Sequence, residues 1–191
     1  MNLMEKTGTP VGSYAPDFEL PGIDDKVHHL SYYLQNWQVI GVIFLSNHCP
    51  VVLSYLDRLK QIQAQFQNQG FTLIGINAND AEQDSEESFK TMKQFALARQ
   101  LNFPYLWDST QDVAHSFGVE RTPEAFVIDH KGILRYNGRI DDNPQEENAV
   151  TVPYLQNAIA ALLSGQEVHP DATKAIGCAI KWRNELKMGN E

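Results

Sequence analysis

The sequence has few cysteines, no cluster of basic residues and no long hydrophobic run. Its 191 residues include only Cys49 and Cys178, too few for a disulfide framework or for a zinc site built from cysteine pairs. The formal net charge of -9, without a Lys/Arg cluster, argues against nucleic acid as a partner. No run approaches the roughly 18 apolar residues of a membrane span, and the N-terminus lacks a signal-peptide pattern. We expect a cytoplasmic protein without a membrane partner, metal or cofactor.

The composition and the hydrophobic pattern predict one folded α/β domain. Hydrophobic residues make up 42% of the chain, and no Gly/Ser/Pro-rich linker or internal repeat divides it. Predicted strands alternate with predicted helices; the strands are 37–45, 71–79, 102–108, 124–129 and 133–140, and the helices are 52–66, 90–100, 110–119 and 151–165. Strand-helix-strand crossovers followed by a hairpin predict a mixed sheet flanked by helices, with a hairpin before it and a polar tail after it.

Cys49 lies in the segment LSNHCP, where a buried strand is followed by a helix. The free N–H groups and the positive end of a helix dipole stabilise a thiolate, which is the nucleophilic form of cysteine. Ser46 precedes Cys49 by three residues, so its hydroxyl can reach the sulfur or an incoming oxygen. Cys49 is therefore either a reactive thiol or a small buried apolar side chain, since free cysteine is often buried.

Several motifs together resemble one family of redox proteins. The chain carries APDFELP, NHCP, RTPEAFVID, YNGRIDD and GCAIKW, in that order. The combination is similar to the AhpC/TSA-type redoxins, the peroxiredoxin-like branch of the thioredoxin fold. The resemblance implies a thioredoxin-like domain over residues 12–165, with a central mixed sheet flanked by helices, and a C-terminal extension over 166–191. It also implies an antioxidant, peroxiredoxin-like oxidoreductase that reduces peroxides through Cys49.

The chain departs from the family pattern at three positions. The branch usually reads CxHCP, and here Ser46 replaces the first cysteine, so dithiol exchange within the motif is excluded. The peroxiredoxin pattern is PxxxTxxC; Ser46 and Cys49 match its second half, while Val42 stands at the proline position. Pro123 occupies the position of the peroxidase arginine, which leaves Arg121 as the candidate for that role.

The same resemblance implies three residues that position the substrate. Pro123 matches the cis-proline that proteins of this fold place opposite the active cysteine, and Thr122 precedes it. His48 comes directly before Cys49 and is a candidate for tuning the thiolate.

Cys178 has two interpretations. A peroxidase cysteine that becomes sulfenic acid needs a second thiol to condense with it, and Cys178 is a possible resolving residue. Alternatively, the apolar segment GCAIKW packs on the domain or on a neighbouring chain, and Cys178 is one of its buried apolar side chains. In the second case the protein is an oligomer.

These observations leave three functional hypotheses. In the first, Cys49 attacks a peroxide, Ser46 polarises it, Arg121 stabilises charge, and Cys178 or an external reductant such as thioredoxin or glutathione completes turnover. In the second, Cys49 acts as a single thiol that exchanges with small thiols or disulfides. In the third, the chain is an inactive redox-fold sensor or binding module.

Overall fold

The structure is a computed structural model that describes residues 8–184. Its strands are β1 (Glu19–Pro21), β2 (Val27–His29), β3 (Val39–Phe44), β4 (Phe71–Asn77), β5 (Tyr105–Trp107), β6 (Arg121–Thr122), β7 (Glu124–Asp129), β8 (Leu134–Gly138) and β9 (Cys178–Ala179). Its α-helices are α1 (Leu30–Asn36), α2 (Pro50–Phe66), α3 (Phe89–Arg99), α4 (Asp112–Phe117) and α5 (Tyr154–Leu163).

A five-stranded mixed sheet forms the centre of the molecule, in the order β5-β4-β3-β7-β8. Strands β3, β4 and β5 are parallel, whereas β7 and β8 are antiparallel to their neighbours. Strands β3 and β4 are buried at every position, as expected for strands covered by helices on both faces. The predicted thioredoxin-like architecture, with its N-terminal hairpin β1–β2 and its C-terminal tail, is confirmed.

Two apolar clusters cover the two faces of the sheet. Successive residues of β3 alternate between them, because strand side chains point to opposite faces: Ile43 lies in one cluster, and Val42 and Phe44 lie in the other. Helices α2, α3 and α5 contribute to the first cluster, and α1 and α4 contribute to the second. This packing fixes the carboxyl end of β3, from which the chain continues to Cys49.

The tail folds back on the domain. Residues Asp171 and Thr173 form backbone hydrogen bonds with Asn137 at the end of β8. Further along, β9 pairs with β6, and Ile180 is buried in the second apolar cluster. The extension predicted for 166–191 is described as far as residue 184; residues 185–191 and the N-terminal residues 1–7 lie outside the described part.

Candidate redox site

Cys49 is the N-cap residue of α2. Its backbone is extended, with φ -89° and ψ 122°, and Pro50 is the first helical residue, a position where the missing N–H of proline costs nothing. The side chain is only 2% exposed. The sequence therefore places a sulfur atom at the positive end of a 17-residue helix, which favours a thiolate when the cysteine is reduced.

Cys49 is joined to Cys178 by a disulfide bond. The two residues are 129 positions apart in the chain, and their Cα atoms lie 6.1 Å apart. The pairing of β6 with β9 brings them together, because Thr122 and Cys178 are direct partners in its register. The sulfur of Cys49 also lies 3.4 Å from the carbonyl oxygen of Thr122. In the oxidised protein, a tail residue thus lies at the mouth of the site.

The segment around Pro123 faces Cys49, as the family resemblance implies. The Thr122–Pro123 peptide bond is cis. The hydroxyl of Thr122 is buried and has no hydrogen-bond partner among residues 8–184. Arg121 contributes backbone pairing to Ala179, while its side chain is exposed and forms no ion pair or hydrogen bond within the described residues. The structure therefore brings Thr122 to Cys49 and leaves the guanidinium of Arg121 in solvent.

The hydroxyl of Ser46 is directed to a carboxylate. Ser46 Oγ donates a hydrogen bond to Glu87 Oε1 and accepts one from the backbone N–H of His48 at 3.1 Å. The sequence suggested a hydrogen bond from Ser46 to the sulfur of Cys49; in the disulfide form the proton of Ser46 is used by Glu87 instead. Ser46 therefore supports the loop that carries Cys49.

Glu87 is a fully buried acid, and sequence reasoning missed it. Its second carboxylate oxygen accepts hydrogen bonds from the backbone N–H of Asn47 at 2.9 Å and from Asn77 Nδ2 at 2.8 Å. In the sequence it lies within the acidic stretch DAEQDSEES, which reads as a solvated loop. No pattern in that stretch separates Glu87 from the exposed Glu86 beside it, because its burial depends on the folded position of the Ser46–His48 loop.

Asn47 links this network to the next strands. Its side-chain oxygen accepts a hydrogen bond from Tyr105 Oη at 2.7 Å, and its Nδ2 donates to the carbonyl of Glu86 at 2.9 Å. Burial, and then the nearby negative charge of Glu87, raise the pKa of Tyr105 well above its usual value. Tyr105 therefore stays a neutral hydrogen-bond donor, and the loop before Cys49 is held on both sides.

His48 and Asp84 form a polar rim above the buried acid. The ring nitrogen Nδ1 of His48 lies 2.9 Å from Asp84 Oδ2, and the same carboxylate accepts a hydrogen bond from Lys181 in the tail. The Lys181 ammonium, followed by His48, lowers the pKa of Asp84 to about 2. His48 thus pairs with Asp84, and the tail brings a cation to the acidic loop.

Gln111 holds the tail after Cys178. It donates hydrogen bonds from Nε2 to the carbonyls of Ala78 at 2.7 Å and Lys181 at 3.0 Å, and its Oε1 accepts from the backbone N–H of Arg183 at 2.9 Å. The residue has a left-handed backbone, with φ 69°, which is uncommon for a residue other than glycine. Sequence reasoning missed this clamp because both of its ends are remote in the chain.

Among residues 8–184, no three His, Cys, Asp or Glu side chains are grouped as a metal site would require. Within the same residues, every helix is too short or too polar to cross a lipid bilayer.

Comparison with known proteins gives a family and several relatives. The family model described as "AhpC/TSA family" matches residues 11–137. Thiol-disulfide oxidoreductase ResA from Geobacillus thermodenitrificans is 27% identical over 131 residues, which cover 69% of this chain and 70% of that protein. The chloroplastic peroxiredoxin Q from Triticum aestivum is 24% identical over 153 residues, which cover 76% of this chain and 66% of that protein.

A solved structure extends the similarity over almost the whole fold. A hypothetical protein from Sinorhizobium meliloti 1021 has a TM-score of 0.86 and 32% identity, covering 93% of this chain and 97% of its own. The family match includes both the Cys49 loop and the Thr122–Pro123 segment, and it spans most of the chain. The chain therefore belongs to the AhpC/TSA family.

Proposed function

We propose that the protein is a thiol-disulfide oxidoreductase whose redox couple is Cys49 and Cys178. One observation carries this proposal: the buried cysteine at the start of α2 is bonded to a tail cysteine that lies directly opposite Thr122. The relative named thiol-disulfide oxidoreductase ResA supports the same class of reaction.

The exchange proceeds in two steps. In the reduced protein, the Cys49 thiolate attacks one sulfur of a substrate disulfide, forms a mixed disulfide and releases the other substrate sulfur as a thiolate. The Cys178 thiolate then attacks the sulfur of Cys49 and releases the second substrate thiolate. The substrate gains two electrons, and the protein ends in the bridged form. A dithiol reductant, or two molecules of a thiol such as glutathione, restores the reduced protein.

The residues around Cys49 have distinct parts in this reaction. The start of α2 stabilises the thiolate of Cys49, which makes it both nucleophile and leaving group. Ser46 has no thiol, so the second cysteine must come from outside the motif, and Cys178 supplies it. The carbonyl oxygen of Thr122, which precedes Pro123, lies beside the sulfur, and His48 is held at the rim by Asp84.

A second candidate function is peroxide reduction. The spacing of Ser46 and Cys49 and the relative named peroxiredoxin Q favour it. The Cys49 thiolate would attack the O–O bond, giving a sulfenic acid and, after protonation, water or an alcohol. Cys178 would condense with the sulfenic acid, forming the disulfide and releasing water. This reaction needs a cation beside the peroxide, and Arg121, whose side chain is exposed, would have to turn toward Cys49 to provide it.

One experiment separates the two functions. The reduced protein is mixed in parallel with substoichiometric hydrogen peroxide and with oxidised glutathione, and the state of each thiol is followed by mass spectrometry. Thiol-disulfide exchange predicts that the Cys178→Ser variant accumulates glutathione on Cys49, that the wild-type protein proceeds to the Cys49–Cys178 bridge, and that the Cys49→Ser variant does not turn over.

The rates decide between the outcomes. For each oxidant, the rate of Cys49 is divided by the rate of free cysteine. A larger ratio for peroxide than for glutathione disulfide would favour the peroxidase. Reaction no faster than free cysteine with both oxidants would refute both functions and favour a sensor or binding module. We also propose a cytoplasmic location and thioredoxin or glutathione as the reductant.

A further inference from the structure

The tail is bound to β6 in the way that one protein binds an extended segment of another. Arg121 pairs with Ala179 and Thr122 with Cys178, in an antiparallel register. The two strands form a two-stranded sheet of their own, apart from the central sheet. Pairing of an extended peptide with a strand of its receptor is a common mode of recognition, in which backbone hydrogen bonds give affinity and side-chain fit gives specificity. Here the added strand presents a cysteine to Cys49.

The fit of this strand requires glycine before the cysteine. A Cβ atom built on Gly177 would overlap the carbonyl oxygen of Thr122, and it would lie 2.7 Å from the carbonyl carbon and 3.2 Å from Cδ of Pro123. The first two obstacles are backbone atoms, which cannot rotate away as a long side chain does. A strand that follows the path of the tail along β6 therefore fits only where the residue before the cysteine has no side chain.

The pairing with β6 is short, and the tail is also held on either side of it. Before it, the backbone N–H of Thr173 donates to the carbonyl of Asn137 at 2.9 Å. After it, the backbone N–H of Lys181 donates to Asn79 Oδ1 at 3.0 Å. Within the tail as described to residue 184, two residues pair with β6 itself. A competing strand therefore has to displace a two-residue ladder, while the contacts on both sides keep the tail close enough to return.

We propose that β6 is the binding site for an extended segment of a protein substrate in which glycine directly precedes the reactive cysteine. The tail segment Gly177–Ile180 is the intramolecular stand-in for that segment. This inference rests on the proposed thiol-disulfide exchange and names its substrate class.

The shared site gives the reaction an order. The substrate cysteine, already in a disulfide with a second thiol, takes the place of Cys178 beside β6. The Cys49 thiolate attacks its sulfur, a Cys49–substrate bond forms, and the second thiol leaves as a thiolate. Return of the tail brings the Cys178 thiolate to Cys49; the new bond forms as the substrate thiolate leaves. Because the two strands need the same edge, resolution and product release are one event.

Two peptides test the glycine requirement. The first has the sequence of residues 175–182, AIGCAIKW, and the second has valine in place of glycine; each carries 2-nitro-5-thiobenzoate on its cysteine. Release of the coloured thiol reports attack by Cys49 on the reduced, full-length Cys178→Ser variant, and mass spectrometry verifies the Cys49–peptide bond. We expect the glycine peptide to react at least tenfold faster than the valine peptide, whereas free glutathione reacts with both at one rate.

A second variant removes competition from the tail. Gly177→Val combined with Cys178→Ser places the same clash in the chain's own tail, and circular dichroism verifies its fold. We expect the glycine peptide to react faster with this variant than with Cys178→Ser alone.

The outcomes distinguish the inference from the function on which it rests. Equal rates for the two peptides, with Cys49 still faster than glutathione, would overturn the glycine-cysteine site and leave thiol-disulfide exchange standing. Rates no faster than glutathione for both peptides and for a small aromatic disulfide would overturn the exchange function itself.

Discussion

The ammonium nitrogen of Lys181, in the tail, lies 3.7 Å from Oε1 of the fully buried Glu87. A buried carboxylate is stable only when hydrogen bonds and an opposite charge replace the water it has lost. Glu87 receives three hydrogen bonds from the body of the domain and its nearby cation from the tail. The tail therefore supplies part of the electrostatic environment beneath the Cys49 loop.

The first prediction concerns the charge of Glu87. In Glu87→Gln, an amide NH₂ group replaces one of the two carboxylate oxygens. At the position of Oε1 it would face the donor Ser46, and at the position of Oε2 it would face the donors of Asn47 and Asn77. We expect the free energy of unfolding to fall by about 1–3 kcal/mol, the cost of unsatisfied buried polar groups, as measured by urea denaturation. Glu86→Gln is the matched control, since that side chain is exposed. Equal losses in the two variants would show that the buried network has no special role.

The second prediction is a loss of stability in acid that depends on Asp84. Lys181, followed by His48, lowers the pKa of this carboxyl from 3.8 to about 2 in the folded protein. Because the folded pKa lies below the unfolded one, its contribution is present above pH 4 and is lost as the pH falls toward 2. We expect the unfolding free energy of Asp84→Asn to fall less steeply across this window than that of the wild-type protein.

The control for this experiment is Glu82→Gln, which removes an exposed acid from the same loop. Asparagine keeps the oxygen that accepts a hydrogen bond from the backbone N–H of Glu86, so the local turn is retained. Identical pH profiles for Asp84→Asn and the wild-type protein would contradict the assigned role.

The third prediction tests the clamp on the tail. Gln111→Ala removes the donor to the carbonyl of Lys181 and the acceptor of the backbone N–H of Arg183, so the tail should open more often in the reduced protein. We expect faster hydrogen exchange of the amides of residues 180–183 and slower formation of the Cys49–Cys178 bond after oxidation. Gln100→Ala is the control, because Gln100 is exposed and also has a left-handed backbone, with φ 53°. A similar effect of both substitutions would point to backbone strain instead of the clamp.

The fourth prediction concerns the hydroxyl of Thr122, which has no hydrogen-bond partner in the part of the chain that the structure describes. Thr122→Val replaces it with a methyl group of similar size, so we expect the oxidised protein to gain about 1 kcal/mol of stability in thermal or urea unfolding. Thr122→Ser keeps the hydroxyl and loses the methyl group, and should be less stable than the wild-type protein. A loss of stability in Thr122→Val would mean that the hydroxyl has a partner.

The sequence predicted the central sheet well because its signals are local. The run that became β3 is continuously apolar, those that became β4 and β7 are mostly apolar, and the spacing of apolar residues in α2 is helical. The pairing of β6 with β9 could not be predicted from such signals. Each strand has two residues, and the contact is set by the path of a tail without regular periodicity.

The site was predictable only in part, for a similar reason. Cys49 is marked by its position between a strand and a helix, and Thr122–Pro123 by resemblance to a family. Glu87 and Gln111 have no such mark, because an acid in a charged loop and an amide before a short helix are ordinary surface residues until the fold closes around them. Their roles arise from contacts between segments that are distant in the chain.

Because the tail is anchored to the domain, folding and formation of the disulfide are linked in one thermodynamic cycle. A bond across 129 residues restricts the unfolded chain, a constraint worth about 4–5 kcal/mol in the chain-entropy model. The cycle requires that the bond form more favourably in the folded protein than in the unfolded chain by the same amount of free energy. Every hydrogen bond that keeps Cys178 near Cys49 therefore raises the effective concentration of one thiol at the other. A substitution in the tail clamp, far from either sulfur, should make the protein a stronger oxidant, by about 30 mV for each 1.4 kcal/mol of closure lost.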